Sequence, residues 1–246
     1  MLKIKNIGKN FGGVKAVDDL SFNVDKGEIV GLIGPNGSGK STTINLICGV
    51  FPVDLGNISV NEQNISSLPT HKRVASGISR TFQNIRLFKD LSVWQNIWVA
   101  LQQDSDQSSG WMQEWFGNSK VQKEEIKEIL VFSGLGDRFN DLAGNLSFGE
   151  QRRLELARAI ASKPKLILLD EPAAGMNSDE VDDLRQRILD LKKLGLTVLL
   201  VEHVMELVMN VVDRIVVLNF GKKIAEGSPE NIQNNKDVQK AYLGGA

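Results

Sequence analysis

The stretch Gly34-Pro35-Asn36-Gly37-Ser38-Gly39-Lys40-Ser41 fits the phosphate-binding loop pattern G-x-x-x-x-G-K-[ST] at every fixed position. In such a loop the glycines let backbone N–H groups point at phosphates, Lys40 supplies a point charge, and Ser41 offers an oxygen to magnesium. Residues 28–33 before the loop are typical of a buried strand, and residues 42–48 after it, beginning with Thr42, are typical of a helix. This order predicts a nucleoside triphosphate site rather than a glycine-rich turn.

Composition leaves several other classes of protein without support. The chain has 246 residues, 41% of them hydrophobic and 24% charged, which is enough for a substantial core. Its formal net charge of −1 does not favour nucleic-acid binding. No stretch reaches the ~18 apolar residues of a membrane span or has the apolar core of a signal peptide, so we expect a cytoplasmic protein. The lone Cys48 is expected to be a buried structural thiol.

Outward from the loop, the pattern of apolar residues predicts a β-rich start and a helical middle. Residues 2–7 and 20–24 alternate as strands do, and residues 56–61 indicate another short strand. Beyond about residue 88 the pattern is mainly helical, with a charged helix starting near Lys120. Residues 102–110 indicate an exposed polar loop, and Trp111, Met112 and Trp115 after it either cap the small local core or bind a partner.

The last third alternates buried strands with an amphipathic helix. Residues 166–169 and 197–201 are continuous apolar runs, and between them Val181, Leu184, Ile188 and Leu191 form a helical stripe. Such alternation predicts a parallel sheet covered by helices, and residues 214–226 indicate a closing hairpin.

Two adjacent carboxylates, Asp170 and Glu171, follow the first of these apolar strands. Open α/β sheets bind ligands at the carboxyl ends of their strands. We therefore expect Asp170 to hold Mg²⁺, directly or through water, and Glu171 to polarise the water that attacks the γ-phosphate. The alternative is a solvated acidic turn before Pro172.

A third motif lies at residues 146–151, Leu-Ser-Phe-Gly-Glu-Gln, which we call the signature segment, directly before an amphipathic helix. Ser147 is placed near the N-terminus of that helix with Gly149 beside it, an arrangement suited to an anion. A serine N-cap by itself is commonplace, so this motif carries weight only together with the other two.

The three motifs together resemble the ATP-binding subunit of an ATP-binding cassette (ABC) transporter, over essentially the whole chain. The family pattern in the signature segment is leucine, serine, glycine, glycine, glutamine, so Phe148 and Glu150 depart from it. The resemblance implies ATP and Mg²⁺ as cofactors and an α/β fold, with a P-loop NTPase (RecA-like) core, an N-terminal antiparallel β-subdomain and an α-helical subdomain. It implies a core at residues 1–87 and 164–246 and a helical subdomain at 88–163.

The resemblance also implies roles for single residues. Phe11 matches the aromatic that stacks on adenine, the alternative being an ordinary core phenylalanine. Gln83 matches the glutamine that reaches Mg²⁺ and the attacking water. His203 matches the switch histidine that contacts the γ-phosphate, although a histidine at a strand end is often structural.

Family membership implies an assembly as well. Two cassettes, in a homodimer or heterodimer, would sandwich two ATP molecules, the signature serine of each completing the phosphate site of the other. Permease helices would seat near Gln83, Ile85, Leu87 and Phe88 on the inner face of the membrane, and a solute-binding protein would act indirectly.

Several stretches look closest to the ATPases of bacterial branched-chain amino-acid importers, namely residues 77–88, 170–177 and 242–244. Urea and amide importers and the lipopolysaccharide export ATPase remain alternatives, because the ATPase does not touch the cargo. A soluble ABC ATPase would normally carry two cassettes or a long coiled coil, and a P-loop kinase or GTPase would lack the signature segment and His203.

Overall fold

The computed structural model describes residues 1–101 and 119–243. Two compact units make up the chain: Met1–Arg80 with Lys165–Ala246, and Thr81–Pro164. The loop predicted at residues 102–110, and Trp111, Met112 and Trp115, lie outside the described residues.

The strands, in chain order, are β1 (Leu2–Phe11), β2 (Val14–Val24), β3 (Ile29–Ile33), β4 (Leu55–Val60), β5 (Gln63–Asn64), β6 (Ile78–Arg80), β7 (Leu166–Asp170), β8 (Thr197–Val201), β9 (Arg214–Asn219) and β10 (Lys222–Gly227). The α-helices are α1 (Lys40–Cys48), α2 (Thr70–Ala75), α3 (Val93–Leu101), α4 (Ser119–Phe132), α5 (Phe148–Ala161), α6 (Ser178–Lys193), α7 (Met205–Val211), α8 (Pro229–Gln233) and α9 (Lys236–Leu243).

The first unit contains an antiparallel sheet in the order β2-β1-β4-β5. Its longest pairing joins β1 to β2, from Leu2 opposite Val24 to Phe11 opposite Val14. Leu2 and Ile4 are buried, whereas Lys3 and Lys5 between and after them are exposed, as expected of a sheet with one solvated face. The predicted N-terminal antiparallel sheet is therefore confirmed.

The second sheet of this unit has the order β10-β9-β3-β8-β7-β6, and β10 alone of these pairs antiparallel. Every residue of β3, β7 and β8 is buried, which accounts for their uninterrupted apolar sequence. The predicted parallel sheet is confirmed. Because β3, β7 and β8 run in one direction, the segments that follow them emerge at one edge of the sheet.

Six elements of this unit, α2, β5, β6, α7, α8 and α9, lie where the sequence analysis predicts none. Helix α2 is held in place by Arg73. This residue is only 2% exposed, and its guanidinium donates to four backbone carbonyls. Two of these belong to Leu46 and Ile47, at 2.6 and 3.0 Å, in the last turn of α1. Carbonyls at the end of a helix have no partner within it, so Arg73 completes the C-terminus of the helix that follows the phosphate-binding loop.

The second unit is helical. Helices α3, α4 and α5 share a core that includes Ile97, Leu130 and Leu154, and short 3-10 turns lie at Gly136–Arg138 and Ala143–Asn145. The charged helix predicted near Lys120 begins at Ser119. Within the described residues of the chain, none of the helices has the length and apolarity that crossing a membrane requires.

We predict that Arg73→Met lowers the free energy of unfolding by at least about 3 kcal/mol, because it removes the hydrogen bonds from a buried guanidinium to four backbone carbonyls. Urea unfolding followed by circular dichroism measures this change. The matched control is Lys72→Met on the exposed side of the same helix, expected within about 0.5 kcal/mol of the parent. Equal midpoints for the two variants would contradict the role given to Arg73.

Candidate functional site

The phosphate-binding loop connects β3 to α1, as its sequence predicts. A Cβ at Gly34 would lie 2.2 Å from the carbonyl oxygen of Leu218 in β9, and one at Gly39 would lie 2.5 Å from that of Ala16 in β2. Both glycines also have φ between +100° and +155°, at 152° and 104°. Only glycine fits these two positions. The close approach of β9 and β2 therefore fixes the shape of the loop, and the N-terminus of α1 faces the loop.

Lys40, the first residue of α1, folds back into this loop. Its ammonium donates to the carbonyl oxygens of Gly34 at 2.8 Å and Pro35 at 3.0 Å, and the residue is only 6% exposed. Burial lowers the pKa of Lys40, and the carboxylates of Glu171 and Asp170 act in the opposite direction. The ammonium is thus positioned in the loop with two negative charges near it.

Asp170 is the last residue of β7 and is almost completely buried. Its Oδ2 accepts a hydrogen bond from Arg80 Nη2 at 2.7 Å, and Arg80 Nη1 donates to Asn45 Oδ1 in α1 at 2.8 Å. The arginine therefore ties the carboxyl end of β7 to the helix of the phosphate-binding loop. This arrangement accounts for a buried carboxylate that would otherwise be costly.

Glu171 occupies a sparsely populated backbone conformation, with φ of 49°. Its backbone N–H donates to the carbonyl oxygen of Val201 at the end of β8, at 2.8 Å. A non-glycine residue held in this way stores strain, and such positions cluster at functional sites. The strain turns the chain sharply at the carboxyl edge of the sheet, where the sequence places the paired carboxylates.

Glu202 is a site residue that the sequence analysis did not single out. Its fully buried carboxylate accepts hydrogen bonds from the backbone N–H groups of Ala173, His203 and Val204 at 2.8, 2.7 and 3.0 Å. It thereby joins the segment after Glu171 to the segment after β8. Its position was the available signal, since Glu202 directly follows β8 as Glu171 directly follows β7.

His203 and Phe11 keep substantial exposure. The His203 side chain is 58% exposed, with Nδ1 3.7 Å from Glu202 Oε2. Phe11 lies at the end of β1 and packs edge-on against Phe51, their ring centroids 5.1 Å apart, with Lys9 Nζ 5.6 Å from its ring centre. The adenine-stacking and γ-phosphate roles of these two residues stay predictions.

Tyr242 in α9 is a second residue whose place the sequence did not reveal. Burial raises the pKa of its hydroxyl, and a hydrogen bond with the backbone of Gly34 opposes that shift. The C-terminal helix thus reaches the first glycine of the phosphate-binding loop. Nothing in the spacing of α9 predicts this contact.

In the second unit, Ser147 caps α5 as predicted. Its Oγ accepts from the Glu150 N–H at 3.3 Å, and Glu150 Oε2 accepts from the Ser147 N–H at 2.9 Å, a complete capping box. Arg138 also donates to Glu150 Oε1 at 3.0 Å, and these contacts lower the pKa of Glu150. Glu150, which differs from the glutamine of the family pattern, therefore has a structural role, because a glutamate in the third position of the helix completes the cap.

Gln83 lies in the same unit, in the segment that faces α5. Its side chain is exposed, and its backbone carbonyl accepts a hydrogen bond from Arg152 of α5. Gly149 is in the first turn of α5, next to the half-exposed Phe148. Within this unit, α5 is therefore in direct contact with Phe82–Arg86, which we call the Gln83 segment.

Comparison with known proteins assigns the chain to a family. Residues 17–174 match a family model described as ABC transporter, and residues 222–246 match one described as branched-chain amino acid ATP-binding cassette transporter. The chain is 39% identical to the high-affinity branched-chain amino acid transport ATP-binding protein BraF of Pseudomonas aeruginosa, over 100% of this chain and 98% of that protein.

Two further comparisons agree. The chain is 38% identical to the lipopolysaccharide export system ATP-binding protein LptB of Escherichia coli, over 99% of this chain and 97% of LptB. A crystal structure of the ADP conformation of an ATP-binding cassette of an ABC transporter matches with a TM-score of 0.87 and 34% identity, over 99% of this chain and 98% of that one. The chain therefore belongs to the ATP-binding cassette transporter family, as one of its ATPase subunits.

Proposed function

We propose that this chain is the ATP-hydrolysing subunit that energises a membrane importer of branched-chain amino acids. The observation that carries the proposal is full-length similarity to BraF together with the match of residues 222–246 to a branched-chain amino-acid cassette model. The site supports the ATPase part independently, because a phosphate-binding loop, two carboxylates and a histidine follow strands of one parallel sheet.

ATP binds along the phosphate-binding loop in this proposal. Backbone N–H groups of the loop and of the first turn of α1 bind the β- and γ-phosphates, and the Lys40 ammonium exchanges the carbonyls of Gly34 and Pro35 for phosphate oxygens. The exchange is favourable because a charged oxygen is a better partner than a carbonyl for a desolvated ammonium. Phe11 contributes the apolar face on which adenine stacks.

The donors that the chain offers fit Mg²⁺. Magnesium prefers oxygen ligands and is usually held by one or two protein groups together with substrate phosphates. Ser41 has an exposed side chain next to Lys40, and Asp170 lies close enough to Lys40 to affect its pKa. In our proposal Ser41, Asp170 and Gln83 hold the ion, directly or through water, and the bound ion neutralises charge on the phosphates.

Hydrolysis depends on Glu171 and His203. Glu171 orients a water for in-line attack on the γ-phosphate and accepts its proton, and His203 contacts the γ-phosphate oxygens. The buried Glu202 fixes the backbone on both sides of this chemistry, through Ala173 and His203. A rigid backbone here keeps the strained Glu171 in a single position.

Ser147 and Gly149 complete the phosphate site of a second ATPase subunit, identical or related, so that two ATP molecules lie between two cassettes. The dimer binds permease subunits at the cytoplasmic face of the membrane, near the Gln83 segment, and a solute-binding protein acts with them indirectly. ATP closes the dimer and hydrolysis reopens it, which drives alternating access in the permeases.

The lipopolysaccharide exporter is the second candidate, since LptB is nearly as similar as BraF. The match of residues 222–246 favours the amino-acid importer. Urea and short-amide import, or a soluble ABC function, has no such observation in its favour.

We predict that Glu171→Gln retains ATP binding but lowers the hydrolysis rate by at least about 100-fold, because the amide cannot accept the proton. A coupled phosphate-release assay measures the rate, and gel filtration with ATP detects the closed dimer that accumulates. Glu230→Gln, an exposed change in α8, serves as the matched control and keeps the parent rate. Hydrolysis by Glu171→Gln near the parent rate would remove Glu171 from its role.

We further predict that proteoliposomes containing this chain, its co-purified permeases and the partner ATPase accumulate labelled leucine only when ATP is enclosed. Urea and acetamide are the comparison cargoes, and Glu171→Gln vesicles are the negative control. Uptake of urea without leucine would reassign the cargo, and co-purification with lipopolysaccharide-export components would replace the importer by the second candidate.

A further inference from the structure

Helix α5 carries three charged residues at successive turns on one face, Arg152, Glu155 and Arg158, and none of them belongs to the ATPase chemistry described above. Arg152 and Glu155 are paired at 3.0 Å, with side chains only 5% and 8% exposed. Buried ion pairs contribute little net stability compared with apolar residues of the same size. Their presence inside a helical core therefore needs another reason.

All three residues bind the backbone of the segment Phe82–Arg86. Arg152 donates through Nη1 to the carbonyl of Phe82 at 2.8 Å and through Nη2 to the carbonyl of Gln83. Glu155 Oε1 accepts from the N–H of Phe82 at 3.2 Å, and Arg158 donates to the carbonyl of Arg86. The path of the Gln83 segment is thus determined by charged groups of α5.

Arginine–aromatic contacts add to these hydrogen bonds. The Arg158 guanidinium carbon lies 4.9 Å from the ring centre of Phe88, and that of Arg86 lies 4.3 Å from the ring centre of Phe82. Burial raises the pKa of Glu155, while the Phe82 N–H and Arg152 act to lower it. The Phe82 N–H and Arg152 therefore compensate in part for the burial of the Glu155 side chain.

Phe148 connects this network to the signature segment. Its ring centre lies 5.5 Å from the guanidinium carbon of Arg152, within range of a cation–π contact, although the residue is 44% exposed. Phe148 follows Ser147 directly, and at this position the family pattern has glycine. A glycine has no side chain that could reach Arg152.

We propose that Arg152 is a positioning residue for Gln83, and that Phe148 makes the position of Arg152 depend on the signature segment. The inference rests on the proposed function, in which Ser147 meets the ATP of a second subunit and Gln83 meets the chain's own Mg²⁺ and water. A shift of the signature segment on meeting that ATP moves the Phe148 ring, the Arg152 guanidinium, and with it the backbone at Gln83. Phe148, which stands where the family pattern has glycine, thereby couples the ATP site that Ser147 completes on the second subunit to the chain's own ATP site.

A double-mutant cycle on ATP hydrolysis tests the proposal, using the full chain alone and with its permeases. Phe148→Gly and Arg152→Lys are each expected to lower kcat about fivefold or more while the KM for ATP changes less than about twofold, because they act on positioning rather than on ATP binding. In a Gln83→Ala background the same two changes are expected to cost less than about twofold, because residues that act through one another are not additive. Full additivity would overturn the proposal.

Hydrogen exchange supplies a second readout that does not depend on catalysis. The amide of Phe82, which donates to Glu155, is expected to exchange about tenfold faster in Phe148→Gly and Arg152→Lys, since the groups that hold that backbone are loosened. Arg185→Met is the matched control, because Arg185 forms the same i, i+3 ion pair with Asp182 on an exposed helix face. Unchanged exchange in folded Phe148→Gly and Arg152→Lys would overturn the proposal.

Different results would refute the proposed function and the positioning role of Arg152. A parent chain that hydrolyses no ATP, with or without permeases, would refute the proposed function and the inference that rests on it. An active parent in which Phe148→Gly and Arg152→Lys stay additive with Gln83→Ala would refute the positioning role alone.

Discussion

The buried ammonium of Lys40, held by two carbonyls of its own loop, is the interaction on which the rest of the first unit depends. A desolvated cation is stable only where oxygen atoms surround it, so the loop must curl tightly and its neighbours must keep it curled. Gly34 and Gly39 allow the approach of β9 and β2, and Arg73 completes the far end of α1. Loop, helix and sheet thus form one support for the charge that we propose binds phosphate.

The carboxylates at the carboxyl edge of the parallel sheet are also held by specific partners. Asp170 ends β7, Glu171 follows it, and Glu202 follows the neighbouring strand β8; each of the three has a different partner. Asp170 pairs with Arg80, Glu202 binds three backbone N–H groups, and Glu171 is held in a strained turn by Val201. In the proposed mechanism Asp170 also helps to hold Mg²⁺, Glu171 acts on the attacking water, and Glu202 fixes the backbone beside them.

Much of this fold follows from the sequence, because strands buried on both faces, such as β3, β7 and β8, have uninterrupted apolar runs. The short strand β6 is missed, since it has three residues and two of them, Ser79 and Arg80, are polar. The phosphate-binding loop and the cap at Ser147 were predictable because their spacing is local. The roles assigned to Phe11, Gln83 and His203 come from resemblance and stay predictions.

Buried charges could not be predicted in the same way. Arg73, Glu202 and Arg152 all bind backbone groups distant in sequence. The pattern of apolar residues does not predict where those backbone groups lie. In a sequence they look like ordinary surface charges. In the structure they decide where α1, the segment after Glu171 and the Gln83 segment lie.

The most direct measurement is titration calorimetry of Mg²⁺-ATP binding to the parent chain and to Lys40→Met, with Lys72→Met as the exposed control. We expect Lys40→Met to bind ATP at least about tenfold more weakly, because the apolar side chain cannot replace a charge-assisted hydrogen bond to phosphate. We expect Lys72→Met to bind ATP like the parent. Equal affinity of Lys40→Met and the parent would contradict the claim that this buried ammonium is the phosphate-binding charge.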